Sequence, residues 1–302
     1  MSLETSLLSV GTHQVPGQTI VFCNGILNDK ESALESAKTL SSILSDQKIV
    51  VYHNPTTLSH YLKPNENDSE FQLDLAKGLA KLIHESILMS QEKGIEKENI
   101  SVTLFAHSHG AVVAKQALEE LEAFDETAKS HVNVHAFGGA TLIPTALANK
   151  VHNYVFNHDL ISHIGNAWEP TSHSLYRVKT IAILMKNENI DSQTAIAKQV
   201  AKEVLLFDEK GASDSSMEET YEKKVAQYTA LLNEYPIKVI QGTAFSKPTF
   251  DSFEDVANQG TLAKVKGVAT NLFKWALACG SYVLTNHGFS DYARQIGQEI
   301  QV

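Results

Sequence analysis

Ser108 stands in the run Val102-Thr103-Leu104-Phe105-Ala106-His107-Ser108-His109-Gly110-Ala111-Val112-Val113-Ala114, which has the residue types and spacing for nucleophilic chemistry. Strand-formers end at Phe105, one sharp turn carries the serine, and a helix rich in small residues follows. That is the layout of a nucleophile elbow, which lifts a serine hydroxyl above the carboxyl end of a buried strand. Small neighbours suit a strained turn with a closely packed helix. Ala106 stands where the pattern G-x-S-x-G has its first glycine, and Gly110 keeps the second. The alternative reading is an ordinary strand-to-helix turn whose serine caps the helix.

A serine hydroxyl is a weak nucleophile at neutral pH, so it needs an adjacent base held in place by an acid. On an elbow of this type the chain order is serine, acid, histidine. Downstream of Ser108 the run Tyr154-Val155-Phe156-Asn157-His158-Asp159-Leu160-Ile161 puts Asp159 just past an apolar strand, where a triad acid belongs. Among thirteen histidines, His287 in Asn286-His287-Gly288-Phe289-Ser290-Asp291-Tyr292 opens the final helix and is the expected base. His173 also follows Asp159 and is the alternative. The tetrahedral oxyanion needs preorganised backbone donors. One is expected at the amide of His109, the residue after the nucleophile. The other is expected in the turn Asn24-Gly25-Ile26-Leu27, with the Ile26 amide as donor and Gly25 allowing close approach. Asn24 is expected either to hold that loop or to meet substrate, and His107 to line the pocket.

Taken together, Phe22-Cys23-Asn24-Gly25-Ile26, Ala106-His107-Ser108-His109-Gly110, Asn157-His158-Asp159-Leu160-Ile161, and His287 with Tyr292 resemble the α/β-hydrolase superfamily, nearest to lipase- and esterase-like members including class-3-type lipases. The resemblance spans most of residues 15 to 185 and about the last twenty. It implies a Ser108–His287–Asp159 triad that hydrolyses carboxylic esters, lipid esters included, through an acyl-enzyme, with no cofactor. The competing expectation is a hydrolase-fold binding or effector protein without chemistry.

Other chemistries find less support. His107 and His109 have zinc-like spacing, and His131 and His135 lie four apart. On a strand those two would stand about 13 Å apart at ~3.3 Å per residue, too far to share a zinc with ligand bonds of about 2.0–2.1 Å. No metal is expected. Phe137-Gly138-Gly139-Ala140 lacks the spacing of a dinucleotide or phosphate loop and reads as a tight turn passing near the site. The net charge of −10 argues against nucleic acid or an anionic membrane surface as partner. The two cysteines, Cys23 and Cys279, are far apart and read as small core residues rather than a disulfide framework. The first residues show no signal-peptide pattern, and Leu272 to Leu284 is too short to span a bilayer. A cytoplasmic location is the expectation, with export lacking a cleavable signal as the alternative.

The elements that must position these residues alternate along the chain. Strands are expected at Thr19–Cys23, Lys48–His53, Ile100–Phe105, Val132–Phe137, Val151–Phe156 and Val178–Leu184. Between them, helical spacing of apolar residues predicts helices at Ser32–Leu44, Phe71–Met89 and Ala114–Phe124. This alternation predicts an α/β fold: a mostly parallel central sheet flanked by helices, with the site at the strands' carboxyl ends. With 302 residues, 43% of them hydrophobic, the chain is read as a single α/β-hydrolase domain over 1–302. Residues 186–267 are read as a helical insertion, which could serve as a lid or a surface for a protein partner.

Overall fold

The computed structural model describes residues 8–26, 28–57, 66–156, 178, 192–208 and 214–240. They form seven strands and five α-helices and fall into two compact units. The first holds the described residues up to Tyr154 together with Glu234–Pro236, and the second holds those from Val155 to Asn233 and from Ile237 to Ile240.

The first unit is built on strands β1 (Leu8–Val10), β2 (Gln18–Cys23), β3 (Ile49–Tyr52), β4 (Ser101–His107), β5 (Val132–Phe137) and β6, which starts at Lys150 and runs on to Phe156. They lie in the order β1-β3-β2-β4-β5-β6. β1 is antiparallel to β3, and all the other neighbours in this series are parallel. Three helices connect them: α1 (Lys30–Ile43), α2 (Glu66–Glu92) and α3 (Gly110–Phe124). After β2 the chain moves outward to β3, then returns past β2 to β4, β5 and β6. The direction of winding therefore reverses between β2 and β4, and such a switch point opens a crevice at the carboxyl ends of the two strands.

One face of this sheet carries the hydrophobic core. Val21, Cys23, Leu104, Ala106, Val134 and Ala136 meet Leu75, Leu79 and Ile83 of α2 and Ala111, Ala114, Ala117 and Leu118 of α3. Alternation along the strands and helical spacing on α2 and α3 bring these side chains to one layer. Alanines on α3 let that helix sit close to β4. The crossovers explain which helices share this layer. Right-handed connections that wind in opposite directions put their helices on opposite faces, and α1, whose buried Ala33, Ala37 and Leu40 lie outside this cluster, belongs to the outward crossover. In the second unit, α4 (Gln193–Asp208) buries Ile196, Ala197, Val200, Ala201 and Val204, while α5 (Asp214–Glu234) buries Val225, Tyr228 and Leu232. The Gln193 amide holds both sides of the Ile237 backbone, at 2.9 and 3.0 Å, where β7 (Ile237–Ile240) begins.

Several boundaries differ from expectation. β4 runs two residues past Phe105, so no loop separates the strand from Ser108. α3 begins at Gly110 rather than Ala114, because small residues let the helix start directly after the turn. β1 and β7 were not anticipated; they have three and four residues, too few for a period to show. β7 falls inside the 186–267 span read as helical. Val178, expected to open a strand, is helical and buried, and the rest of that expected strand, 179–184, lies outside the described residues. Among the described residues no helix is long and apolar enough to cross a membrane.

Candidate active site

Ser108 follows the last residue of β4 and precedes α3 by two residues, and its φ is +55°. A non-glycine residue in the left-handed region costs about 1–2 kcal/mol and persists only where the surroundings over-determine it. Here they do. The Ser108 N–H donates to the Phe137 carbonyl at 3.1 Å, and its carbonyl accepts from Ala111 N–H at 3.1 Å and Ala140 N–H at 2.9 Å. The turn is thus stitched to the end of β5, to its own helix and to the segment that follows Gly138 and Gly139.

The loop after β2 closes over this turn. A methyl group on Gly25 would lie 2.7 Å from Ser108 Cβ, 3.2 Å from its Oγ and 3.4 Å from His107 Nδ1. No side chain fits there, so the bare Gly25 backbone rests against the serine and ends beside the His107 ring. Gly110 serves the same approach from below, since a Cβ there would meet the Cys23 carbonyl oxygen at 2.4 Å. Ser108, His107 and His109 are all largely buried, at 5%, 6% and 2% exposure.

The two amides expected to face an oxyanion belong to peptide groups pinned through their carbonyls. A trans peptide is planar, with its C=O and N–H pointing in opposite directions. The Ile26 amide shares its peptide with the Gly25 carbonyl, which accepts from Asn24 Nδ2 at 2.8 Å and Asn28 Nδ2 at 3.4 Å. The His109 amide shares its peptide with the Ser108 carbonyl, held by Ala111 and Ala140. Asn28 also donates to the Ile26 carbonyl at 3.0 Å, and its own carbonyl accepts from His53 Nε2 at 3.0 Å.

Behind these loops runs a buried amide network. Asn24 and Asn54, 1% and 0% exposed, sit just past the carboxyl ends of β2 and β3. Asn54 N–H donates to Asn24 Oδ1 at 2.8 Å, and Asn24 Nδ2 donates to the Asn54 carbonyl at 3.0 Å. Asn54 Nδ2 donates to the Asn24 carbonyl and to His109 Nδ1, each at 3.1 Å. Thr56 completes it with two bonds to Asn54 Oδ1, from its backbone N–H at 3.1 Å and its hydroxyl at 2.6 Å. A donor at Nδ1 puts the His109 ring proton on Nε2. Burial pushes the pKa of this imidazole down to about 4, so it is neutral at pH 7.

No family model matches this chain, and no curated protein matches it.

The structure therefore gathers Ser108, His107, His109, Asn24, Gly25 and Ile26 at the switch point between β2 and β4. The Asn24 side chain is engaged within the protein, tying Gly25 to Asn54. The Cys23 thiol next to it is fully buried and pushed up to about 12, which leaves it inert as a nucleophile. Asp159, His287 and His173 lie outside the described residues. Among the described residues no group of three or more His, Cys, Asp and Glu is placed to hold a metal ion. Asn54 and Asn28 were missed in the sequence, whereas the turn Phe137-Gly138-Gly139-Ala140 does pass beside Ser108, as expected. Asn54 lies just past the strand expected at Lys48–His53 and before Pro55. Its signal was an asparagine at the end of each of two strands, and that becomes informative only once β2 and β3 are known to be neighbours.

Proposed function

We propose that this chain is a serine hydrolase of the α/β-hydrolase type that cleaves carboxylic esters, lipid esters included, through an acyl-enzyme. The observation that carries the reading is the left-handed Ser108 between a parallel strand and a helix start, with Gly25 packed against its Cβ. A strained turn that places a serine between a strand's carboxyl end and a helix start is the elbow geometry of such enzymes.

In the proposed reaction Ser108 Oγ attacks the ester carbonyl carbon while His287 takes the hydroxyl proton. Asp159 orients the imidazole and stabilises its charged form. The amides of His109 and Ile26 receive the oxyanion, and their pinned peptide groups support that role because preorganised donors need not reorient as charge develops. The alcohol leaves with the proton from His287. Water, activated by the same histidine, then releases the acid and restores Ser108.

The test is a fluorophosphonate probe on the purified chain, read by intact mass beside Ser108→Ala. The expected result is one adduct on the wild type and none on the variant. Failure of the folded wild type to label overturns the reading and leaves a binding protein. His287→Ala against His173→Ala then identifies the base, and a series of p-nitrophenyl esters of rising acyl length reads the substrate class.

A further inference from the structure

We infer that Asn54 is a positioning residue that sets the spacing of the two oxyanion donors, acting through Asn24 on one side and His109 on the other; this rests on the hydrolase reading above. One amide nitrogen, Asn54 Nδ2, donates both to the Asn24 carbonyl and to the His109 ring, at 3.1 Å each. The first contact governs the loop that carries Ile26, because Asn24 in turn holds the Gly25 carbonyl of the Ile26 peptide at 2.8 Å. The second governs the residue whose own amide follows the nucleophile. Asn54 is itself immobilised from behind by Asn24 and Thr56, four bonds in all, and is 0% exposed. The hydrogen-bond partners of its side chain are Asn24, His109 and Thr56, so it acts on the reaction by fixing where other groups stand. The chemistry needs such a brace. The donors come from loops after two different strands, β2 and β4, and no strand pairing continues past the strand ends to hold those loops in register.

The geometry makes a distinctive expectation. Loss of the brace lowers the rate of the step in which the oxyanion forms, and affects ground-state binding little. Misplacement of reacting groups by about 1 Å costs on the order of 10²-fold in rate, so Asn54→Ala is expected to lower kcat about 10- to 100-fold with little change in KM.

The experiment uses the full chain and two readouts. One is the second-order rate of fluorophosphonate labelling, in which the Oγ–P bond forms, the P–F bond breaks, fluoride leaves, and the phosphonyl oxygen takes the oxyanion position. The other is kcat and KM for p-nitrophenyl acetate. Asn54→Asp has the shape of asparagine and keeps the acceptor facing Thr56, but replaces the bridging donor, so it carries the test if Asn54→Ala does not fold. His109→Ala keeps the backbone amide and removes only the ring that Asn54 holds. The double variant with Asn54→Ala is expected to lose no more than the larger of the two single losses, since interacting sites are non-additive. Ile83→Ala, in the core on α2, lowers Tm without altering the labelling rate of the folded fraction. An unlabelled wild type overturns both readings. A labelled wild type whose Asn54 variants label at the wild-type rate overturns this inference alone. So does an additive double variant, or a loss confined to Tm as in Ile83→Ala.

Discussion

Ser45 and Asp46, at the end of α1, share with Ser108 a backbone that non-glycine residues rarely adopt, with φ of 57°, 63° and 55°. The two turns differ in everything around that strain. Asp46 ends a helix in the open: its N–H donates to the Ser41 carbonyl, its carbonyl receives Thr12 and His13, and its carboxylate receives the Thr12 hydroxyl. The left-handed conformation there closes a helix terminus and turns the chain toward β3. Ser108 is buried, sits between two strand ends, and has a glycine backbone against its Cβ. Strain by itself therefore marks a place where surrounding bonds over-determine the chain. What sets Ser108 apart is the packing of the Gly25 backbone against its Cβ and the hydrogen bonds that fix the peptide groups on either side of that contact.

The strongest way to break this contrast is to remove the hydroxyls. Ser108→Ala is expected to abolish fluorophosphonate labelling, whereas Ser45→Ala leaves it at the wild-type rate; equal labelling of both variants would erase the distinction. Next in size is Gly25→Ala. Its methyl would stand 2.7 Å from Ser108 Cβ against backbone held on both sides, so the loop must move. A fall in labelling rate of about 100-fold is expected, with the fold retained by circular dichroism.

Acid separates the two turns by stability. His109 has a folded pKa of about 4 and His135 of about 3, both lowered chiefly by burial, with the nearby His152 adding to the second. Unfolded histidine titrates near 6.5. Below that the unfolded chain binds protons that the folded chain refuses, so stability is full above pH 6.5 and falls as the pH drops toward 4. At about 1.4 kcal/mol per pKa unit, His109 accounts for up to about 3 kcal/mol of that loss. His109→Ala and His135→Phe are each expected to flatten the Tm profile between pH 6.5 and 4. Ser45→Gly should leave its slope unchanged.

The smallest effect concerns the strain itself. Ser108→Gly and Ser45→Gly each relieve a left-handed serine, worth about 1–2 kcal/mol, against about 0.5–1 kcal/mol of added chain entropy in the unfolded state. Each is expected to gain about 0.5 kcal/mol in urea unfolding, Ser108→Gly relative to Ser108→Ala. Only the Ser45 variant is expected to keep labelling.

Much of the first unit was legible because its signals are local. The β-branched runs of β2 to β6 and the helical periods of α1 and α2 could be read within ten or twenty residues. The serine turn announced itself by a strand, a small-residue turn and a helix in direct succession. Gly25 was suspected for the right property, absence of a side chain, though the atom it must approach lies more than eighty positions along the chain. β1 and β7 escaped because three or four residues carry no period, and they become strands only by pairing.

The sequence by itself determined which residue types stand at the strand ends: a serine flanked by small residues after β4, an Asn-Gly after β2, and an Asn-Pro after β3. These depend on local sterics and hydrogen bonding, which a few neighbours decide. Only the tertiary structure decided that β3, β2 and β4 lie side by side, and with that everything that links the three loops. The Asn54 amide between Asn24 and His109, the Gly25 backbone on Ser108 and the Ala140 bond behind it all join residues remote in sequence. Strand order is set by how the whole sheet buries its faces, a property of the summed packing that no single segment contains.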